Sequence, residues 1–240
     1  MTLAPQNPWH MTALTLFPDA FPGVLGASVI GAAQKNHIWT SDVVDIRDFS
    51  SNKHRSVDDT PAGGGPGMVL RADIAGKAIE SVARNGRPLI YLTPRGAPLT
   101  QKRVRELATG PGVIVFCGRF EGLDQRVIDA YDMEEICIGD FVLAGGEIAA
   151  QALTEACVRL LPGVLGAADS TVDESFEDGL LEYPLYAKPA EWNGRRIPDV
   201  LRSGNHKAIA EWRRDQQIET TKARRPDLYE AYMRKTGDGK

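Results

Sequence analysis

Residues 113–122 read VIVFCGRFEG: five apolar residues in a row, then a turn that begins at Gly118. A run this short and unbroken, with no polar alternation, is the signature of a strand buried on both faces, and such strands belong to parallel sheets covered by helices. The same pattern repeats on either side. Residues 88–92 form an apolar run closed by Pro94, and residues 135–138 form another closed by Gly139. Helical spacing fills the gaps at 100–109 and 124–133. Strand, helix, strand, helix, strand is the order of an α/β layer fold.

Further out, Gly145-Gly146 opens the clearest helix in the chain. Ile148, Ala152, Ala156 and Leu160 make one row at i+4, Ala149, Leu153, Cys157 and Leu161 the next, and Pro162-Gly163 stops it. Upstream, residues 11–17 and 39–46 read as strands, 24–33 and 72–83 as helices, with a glycine-rich stretch, Gly63-Gly64-Gly65-Pro66-Gly67, between them. The α/β domain is therefore expected over residues 11–162, preceded by a disordered, proline-containing extension at 1–10. Residues 163–180 have no periodicity and much Asp, Glu, Ser and Gly, the composition of a linker. Residues 181–240 read as a small all-helical domain, with Asn205 as N-cap of a helix over 206–217 and another helix after Pro226.

Composition narrows the class of protein. With 240 residues, 42% of them hydrophobic and 25% charged, the chain can bury a core without staples. It has no run of 18 apolar residues, so no membrane span is expected, and its start lacks the basic-then-apolar pattern of a signal peptide. The three cysteines, Cys117, Cys137 and Cys157, lie in apolar runs. An odd count without CxxC spacing argues against a disulfide framework or a zinc site and for buried reduced thiols in a cytoplasmic protein. The net charge of −4 hides an asymmetry: residues 127–182 hold 13 acids and one base, whereas residues 181–240 hold 13 bases and 9 acids. That pattern fits a basic nucleic-acid-facing surface on an acidic body, and equally a solvated helical face.

Several segments carry chemistry. The glycine-rich stretch has no GK[ST], and no GxGxxG leads from a strand into a helix, so neither common nucleotide motif applies; a loop wrapping a ligand or an RNA backbone, or a plain mobile loop, remains. Residues 118–122, 138–143 and the pair Gly145-Gly146 all follow strand ends, where α/β sheets bind ligands. Their backbone N–H and C=O groups suit an adenine and ribose and imply no phosphate. Acids cluster at Asp169, Asp173, Glu174, Glu177 and Asp178; most read as solvated, and one near a nucleotide would serve as general base, though spacing does not say which. Arg159 reads either as an ion-pair partner of Glu155 at i+4 or as a contact for a carboxylate or guanine. His206, Trp212, Arg213 and Arg214 suit RNA stacking, and Trp212 reads equally as a core anchor.

Taken together, TLFPDAF (15–21), DDTPAGGGPGMVL (58–70), IYLTPRG (90–96), GRFEGLD (118–124), IGDFVLAGGE (138–147), ESFEDGLLEYPLY (174–186) and SGNHKAIAEWR (203–213) resemble the TrmD family, bacterial tRNA guanine-N1 methyltransferases acting on guanosine 37. The resemblance implies a SPOUT-type, trefoil-knotted parallel sheet domain followed by a helical domain that grips the tRNA anticodon arm, in a homodimer. It implies S-adenosylmethionine bound at Tyr91, Leu92, Pro94, Gly118, Phe120, Glu121, Gly122, Ile138, Gly139, Asp140, Phe141, Val142, Leu143, Gly145 and Gly146. It also implies catalysis by an arginine that maps to Arg159 and by an aspartate before Ser-Phe. Here the residue before Ser175-Phe176 is Glu174, with Asp173 one position earlier. Glu174 is preferred because its match needs no insertion; Asp173 is the alternative. Ala62, Leu185 and Lys188 stand where the family often has Tyr, His and Arg, so the family's RNA contacts through these positions are not expected here, although Lys188 can still meet phosphate as a point charge. Some members use magnesium (Mg2+), and no dedicated oxygen cage is visible in this sequence. The competing readings are a SPOUT ribose 2′-O-methyltransferase and a non-catalytic RNA-binding protein.

Overall fold

The computed structural model describes residues 7–166 and 174–237, so the extension's residues 1–6 and the linker's residues 167–173 lie outside the described residues. The chain divides into two compact units, Met1–Gly166 and Ala167–Lys240.

The first unit runs β1 (Trp9–Thr15), two short 3-10 turns, α1 (Ser28–Lys35), β2 (Trp39–Asp45), a small antiparallel pair β3 (Asp58–Asp59) and β4 (Val69–Leu70), and α2 (Ala72–Glu80). It continues with β5 (Leu89–Pro98), α3 (Gln101–Thr109), β6 (Gly112–Phe116), α4 (Gln125–Ala130), β7 (Glu134–Cys137) and α5 (Glu147–Val158). Five strands form one sheet in the order β2-β1-β6-β5-β7, and every pairing is parallel. All five residues of β6 are buried, as the unbroken apolar run requires. Successive residues point to opposite faces. Met11, Ala13, Val113 and Val115 therefore pack with α1, α3 and α5, whereas Leu14, Ile114 and Phe116 pack with α2 and α4.

The strand order places the crevice. From β5 the chain moves to one side to make β6, then returns across β5 to make β7. The connections that leave β6 and β7 thus flank the tip of β5, and a crevice opens at the carboxyl ends of the three strands, where such sheets bind ligands.

Four expectations are modified. Trp9 and His10 belong to β1 rather than to an extension: Trp9 is buried and its indole N–H donates to the Leu107 carbonyl at 3.0 Å. Strand β5 does not stop at Pro94. Leu92 and Ala97 both align with Ile136 of β7, so residues 93–96 leave the ladder, as a proline without an N–H allows, and the chain rejoins it. In α5 the buried rows are Ala149, Leu153 and Cys157 and Ala150, Thr154 and Val158; of the other expected row, Ile148, at 65% exposure, and Ala152 are exposed, while Ala156 and Leu160 pack partly buried against the core. The second unit is helical, with α6 (Asp199–Arg202), α7 (His206–Arg224) and α8 (Pro226–Gly237), but it also contains a hairpin of β8 (Glu191–Trp192) and β9 (Arg195–Arg196). Asn193 and Gly194 turn that hairpin with φ of 51° and 74°, the left-handed pair that Asn-Gly favours. Asn205 caps α7 by accepting from the Ala208 N–H at 3.2 Å. Buried Thr221, whose hydroxyl accepts from the Leu181 N–H at 2.8 Å, ties the start of this unit to α7.

The return of the chain past β7 depends on Gly96. A Cβ there would lie 2.5 Å from the Glu135 carbonyl carbon and 2.6 Å from that of Ile136, against backbone that has nowhere to go. Gly96→Ala should therefore lower the free energy of unfolding by about 1–3 kcal/mol, the usual cost of overpacking. A urea titration with an unchanged midpoint would refute the close crossing.

Candidate functional site

A cleft of about 240 Å³ lies at the tips of β5, β6 and β7. Tyr91, Leu92 and Pro94 reach it from β5; Gly118, Phe120, Glu121 and Gly122 from the turn after β6; Ile138, Gly139, Phe141, Val142, Leu143, Gly145 and Gly146 from the segment between β7 and α5. Of the fifteen positions expected from sequence, only Asp140 does not line it. Thr93, Arg119, Ile136, Cys137, Ala144 and Ala149 line it without having been singled out. Alternation along the strand was the available signal for Ile136 and Cys137, but nothing local marked Arg119 or Ala149.

Missing side chains build the floor. The Gly146 N–H donates to the Gly118 carbonyl at 3.0 Å, joining the start of α5 to the end of β6. A Cβ on Gly146 would stand 2.8 Å from the Cys117 Cα, and one on Gly118 would stand 2.8 Å from the Tyr91 ring. Tyr91 is buried, and its hydroxyl accepts from the Leu123 N–H at 3.1 Å. Burial pushes its phenol pKa above the ordinary value, so the ring stays neutral as a fixed wall. Phe120 adopts φ of 59° with its ring half exposed at the cleft. Left-handed backbone is costly for an aromatic residue, and strain of this kind gathers at functional turns.

The glycine-rich loop meets the same turn. Glu121 N–H donates to the Met68 carbonyl at 2.9 Å, and Leu70 N–H to the Gly122 carbonyl at 2.9 Å. A side chain at Gly67 would overlap the Glu121 carboxylate, whereas Gly63, Gly64 and Gly65 have nothing within 4 Å of a Cβ.

A buried ion pair stands behind the turn. Glu147, in the first turn of α5 and 3% exposed, lies 2.8 Å from the Arg119 guanidinium and accepts the Thr15 hydroxyl at 2.7 Å. The Arg119 contact is Coulombic rather than an aligned hydrogen bond, since that carboxylate oxygen has no partner of hydrogen-bond geometry. Arg119 also donates to the Ala144 carbonyl at 3.3 Å and stacks on Phe17, 4.3 Å from the ring centroid.

The proposed catalytic residues fall in different units. Arg159 caps the C-terminus of α5, where a cation is favoured by the helix dipole. Glu174 begins a turn in the second unit in which the Phe176 N–H donates to the Leu180 carbonyl at 2.8 Å and the Ser175 hydroxyl accepts from Glu182 N–H at 3.0 Å. Asp173 and Asp169 lie outside the described residues. Among the described residues all three cysteines are free and buried, and no three His, Cys, Asp or Glu side chains converge to hold a metal ion.

A parallel sheet whose switch point carries a cleft of glycine turns, mixed backbone groups and one flanking ion pair defines an α/β protein built to hold a small polar ligand with an apolar face. Residues 9–231 match the family model described as tRNA (Guanine-1)-methyltransferase TrmD, and the chain belongs to that family. Curated relatives include the tRNA (guanine-N(1)-)-methyltransferase of Rhodopseudomonas palustris strain BisB18, 59% identical over 224 residues that cover 93% of this chain and 89% of the relative. That of Novosphingobium aromaticivorans is also 59% identical, over 92% of this chain and 91% of its own. The Gluconobacter oxydans protein is 55% identical over 94% and 97%.

Because the Gly146 contact is backbone against backbone, Gly146→Ala should push α5 off the tip of β6, lower stability by about 1–3 kcal/mol and abolish tight ligand binding at the cleft. Thermal unfolding and calorimetry with S-adenosylmethionine would check it; unaltered binding would mean that the glycine floor is dispensable.

Proposed function

We propose that the chain transfers a methyl group from S-adenosylmethionine to N1 of guanosine 37 in tRNA. The observation that carries this reading is the family match across residues 9–231, combined with the convergence of its expected donor-binding residues on one cleft. The cleft's own chemistry fits the donor. Its glycines leave backbone N–H and C=O groups open to an adenine and ribose, and its apolar side chains suit the methylene and methyl groups.

When bound, S-adenosylmethionine supplies an electrophilic methyl group on a sulfonium. The chain supplies the rest. Guanine N1 carries a proton, so its lone pair is available only as that proton leaves. We assign its removal to the Glu174 carboxylate and the stabilisation of negative charge building on O6 to the Arg159 guanidinium. The threaded arrangement that the family implies is supported by the crossing of Gly96 over the Glu135–Ile136 peptide. The exposed apolar side chains of the first unit, Val24, Phe141, Val142 and Ile148, are what a homodimer would cover. The basic stretch of the second unit, residues 181–240, with Arg213 stacked on Tyr183 at 4.7 Å and Tyr186 beside Trp212 at 6.2 Å, is assigned to the anticodon arm. No helix among the described residues is long and apolar enough to cross a membrane, in keeping with a cytoplasmic site of action.

Purified protein, labelled S-adenosylmethionine and a tRNA transcript should give label at guanine N1, and a transcript with adenosine in place of guanosine 37 should give none. Label on the adenosine transcript would instead indicate ribose methylation, and label on neither would remove the catalytic reading. Among variants, Glu174→Gln is expected to lose most methyl transfer at unchanged donor affinity while Asp173→Asn keeps it. The opposite pattern would move the base to Asp173.

A further inference from the structure

Two charged residues, Arg119 and Glu121, are among those that line the cleft described above. A guanidinium in the wall of a site that takes a sulfonium is an electrostatic contradiction, since like charges in a partly desolvated cleft repel more strongly than in water. Its resolution lies one layer back. Glu147 does not line the cleft, yet it is 3% exposed, meets Arg119 at 2.8 Å and is held by the Thr15 hydroxyl at 2.7 Å. Thr15 is itself pinned, because its oxygen accepts the Phe17 N–H at 3.0 Å, and the Phe17 ring carries the other face of the guanidinium. Arg119 is thus fixed from three sides: by Glu147, by Phe17 and by the Ala144 carbonyl. A pure packing role would be filled as well by apolar side chains of similar volume, because a buried ion pair is seldom more stabilising than its hydrophobic replacement.

We propose that Glu147 is a positioning residue whose charge neutralises Arg119, so that the cleft prefers a sulfonium over the neutral thioether that remains after methyl transfer. Resting on the donor-site reading above, the inference adds a discrimination: with Arg119 compensated, the remaining charge in the lining is the Glu121 carboxylate, which attracts a cation. The spent donor, having lost its positive charge with its methyl group, loses that attraction and leaves. Arg119 in turn keeps the segment before α5 in place through Ala144, which is why the cation is present at all.

The test is calorimetric, on the full-length protein, with S-adenosylmethionine and S-adenosylhomocysteine as the two probes. In Glu147→Gln, which keeps shape and hydrogen-bonding capacity, affinity for the sulfonium should fall on the order of tenfold more than affinity for the thioether, the size expected between unit charges about 10 Å apart at an effective dielectric near 20. Removing both charges, in the double variant Arg119→Met with Glu147→Gln, should return the ratio of the two affinities to the wild-type value, and Glu147→Asp should keep that ratio even if both affinities drop. Equal weakening of both probes in Glu147→Gln would reduce the residue to packing and overturn the proposal. Should Glu147→Gln fail to fold by circular dichroism, a lowered sulfonium preference in the double variant or in Glu147→Asp would overturn it equally. If wild-type protein binds neither probe, the donor-site reading itself falls, and that result is distinct from an unchanged ratio.

Discussion

The hydrogen bond from the Gly146 N–H to the Gly118 carbonyl, 3.0 Å long, forms because the helix backbone can approach the strand tip with no Cβ between them. It locks the first turn of α5 to the end of β6, and α5 in turn carries the buried face that closes one side of the sheet. Shifting that contact by an ångström would move Glu147 away from Arg119, the segment ending at Ala144 away from the turn at Phe120, and Tyr91 off its seat against Gly118. The cleft is thus a consequence of close packing between backbones, not of long side chains reaching inward. Such a floor resists substitution because interiors are packed too densely to absorb an added methyl group.

Charge is handled on two scales. Near the cleft a single buried carboxylate, Glu147, offsets a single guanidinium, Arg119. Over the whole chain, acids concentrate in 127–182 and bases in the last quarter. A net charge of −4 is therefore no obstacle to an RNA partner, because a polyanion responds to the local surface it meets rather than to the total. In the second unit several arginines are held by neighbours: Arg214 by Asp178 and Tyr232, Arg225 by Asp227 at 2.6 Å, Arg213 over Tyr183. Held side chains lose less conformational freedom on meeting a partner than free ones do.

Much of the fold was legible because it is written locally. The run 113–117 announces a two-face-buried strand, and β6 is that strand; the strand-helix alternation announces a layered sheet, whose strand pairing runs in the order β2-β1-β6-β5-β7. The cleft residues of 118–122 and 138–143 were legible for the same reason, since these turns follow apolar runs, whereas Tyr91, Leu92 and Pro94 were expected only from the family resemblance. Other features were missed for want of attention to a signal that was present: Asn193-Gly194 is a hairpin marker, and Trp9 begins the first strand's apolar face. The exposure of Ile148 is different. Its row in α5 is as apolar as the buried one, and periodicity alone does not say which of two adjacent stripes meets the sheet.

By itself, the amino-acid sequence determined which segments form the main strands and helices of the first unit, which glycines stand at strand tips, and how charge divides along the chain, because propensity, hydrophobic period and composition act over a few neighbouring residues. Only the tertiary structure decided that β5 lies between β6 and β7, that Gly96 crosses the Glu135–Ile136 peptide, and that Thr15, Arg119 and Glu147 meet. Those contacts join residues up to 132 positions apart in sequence. What selects them is the fit of one surface against another, a property that no local window of sequence contains.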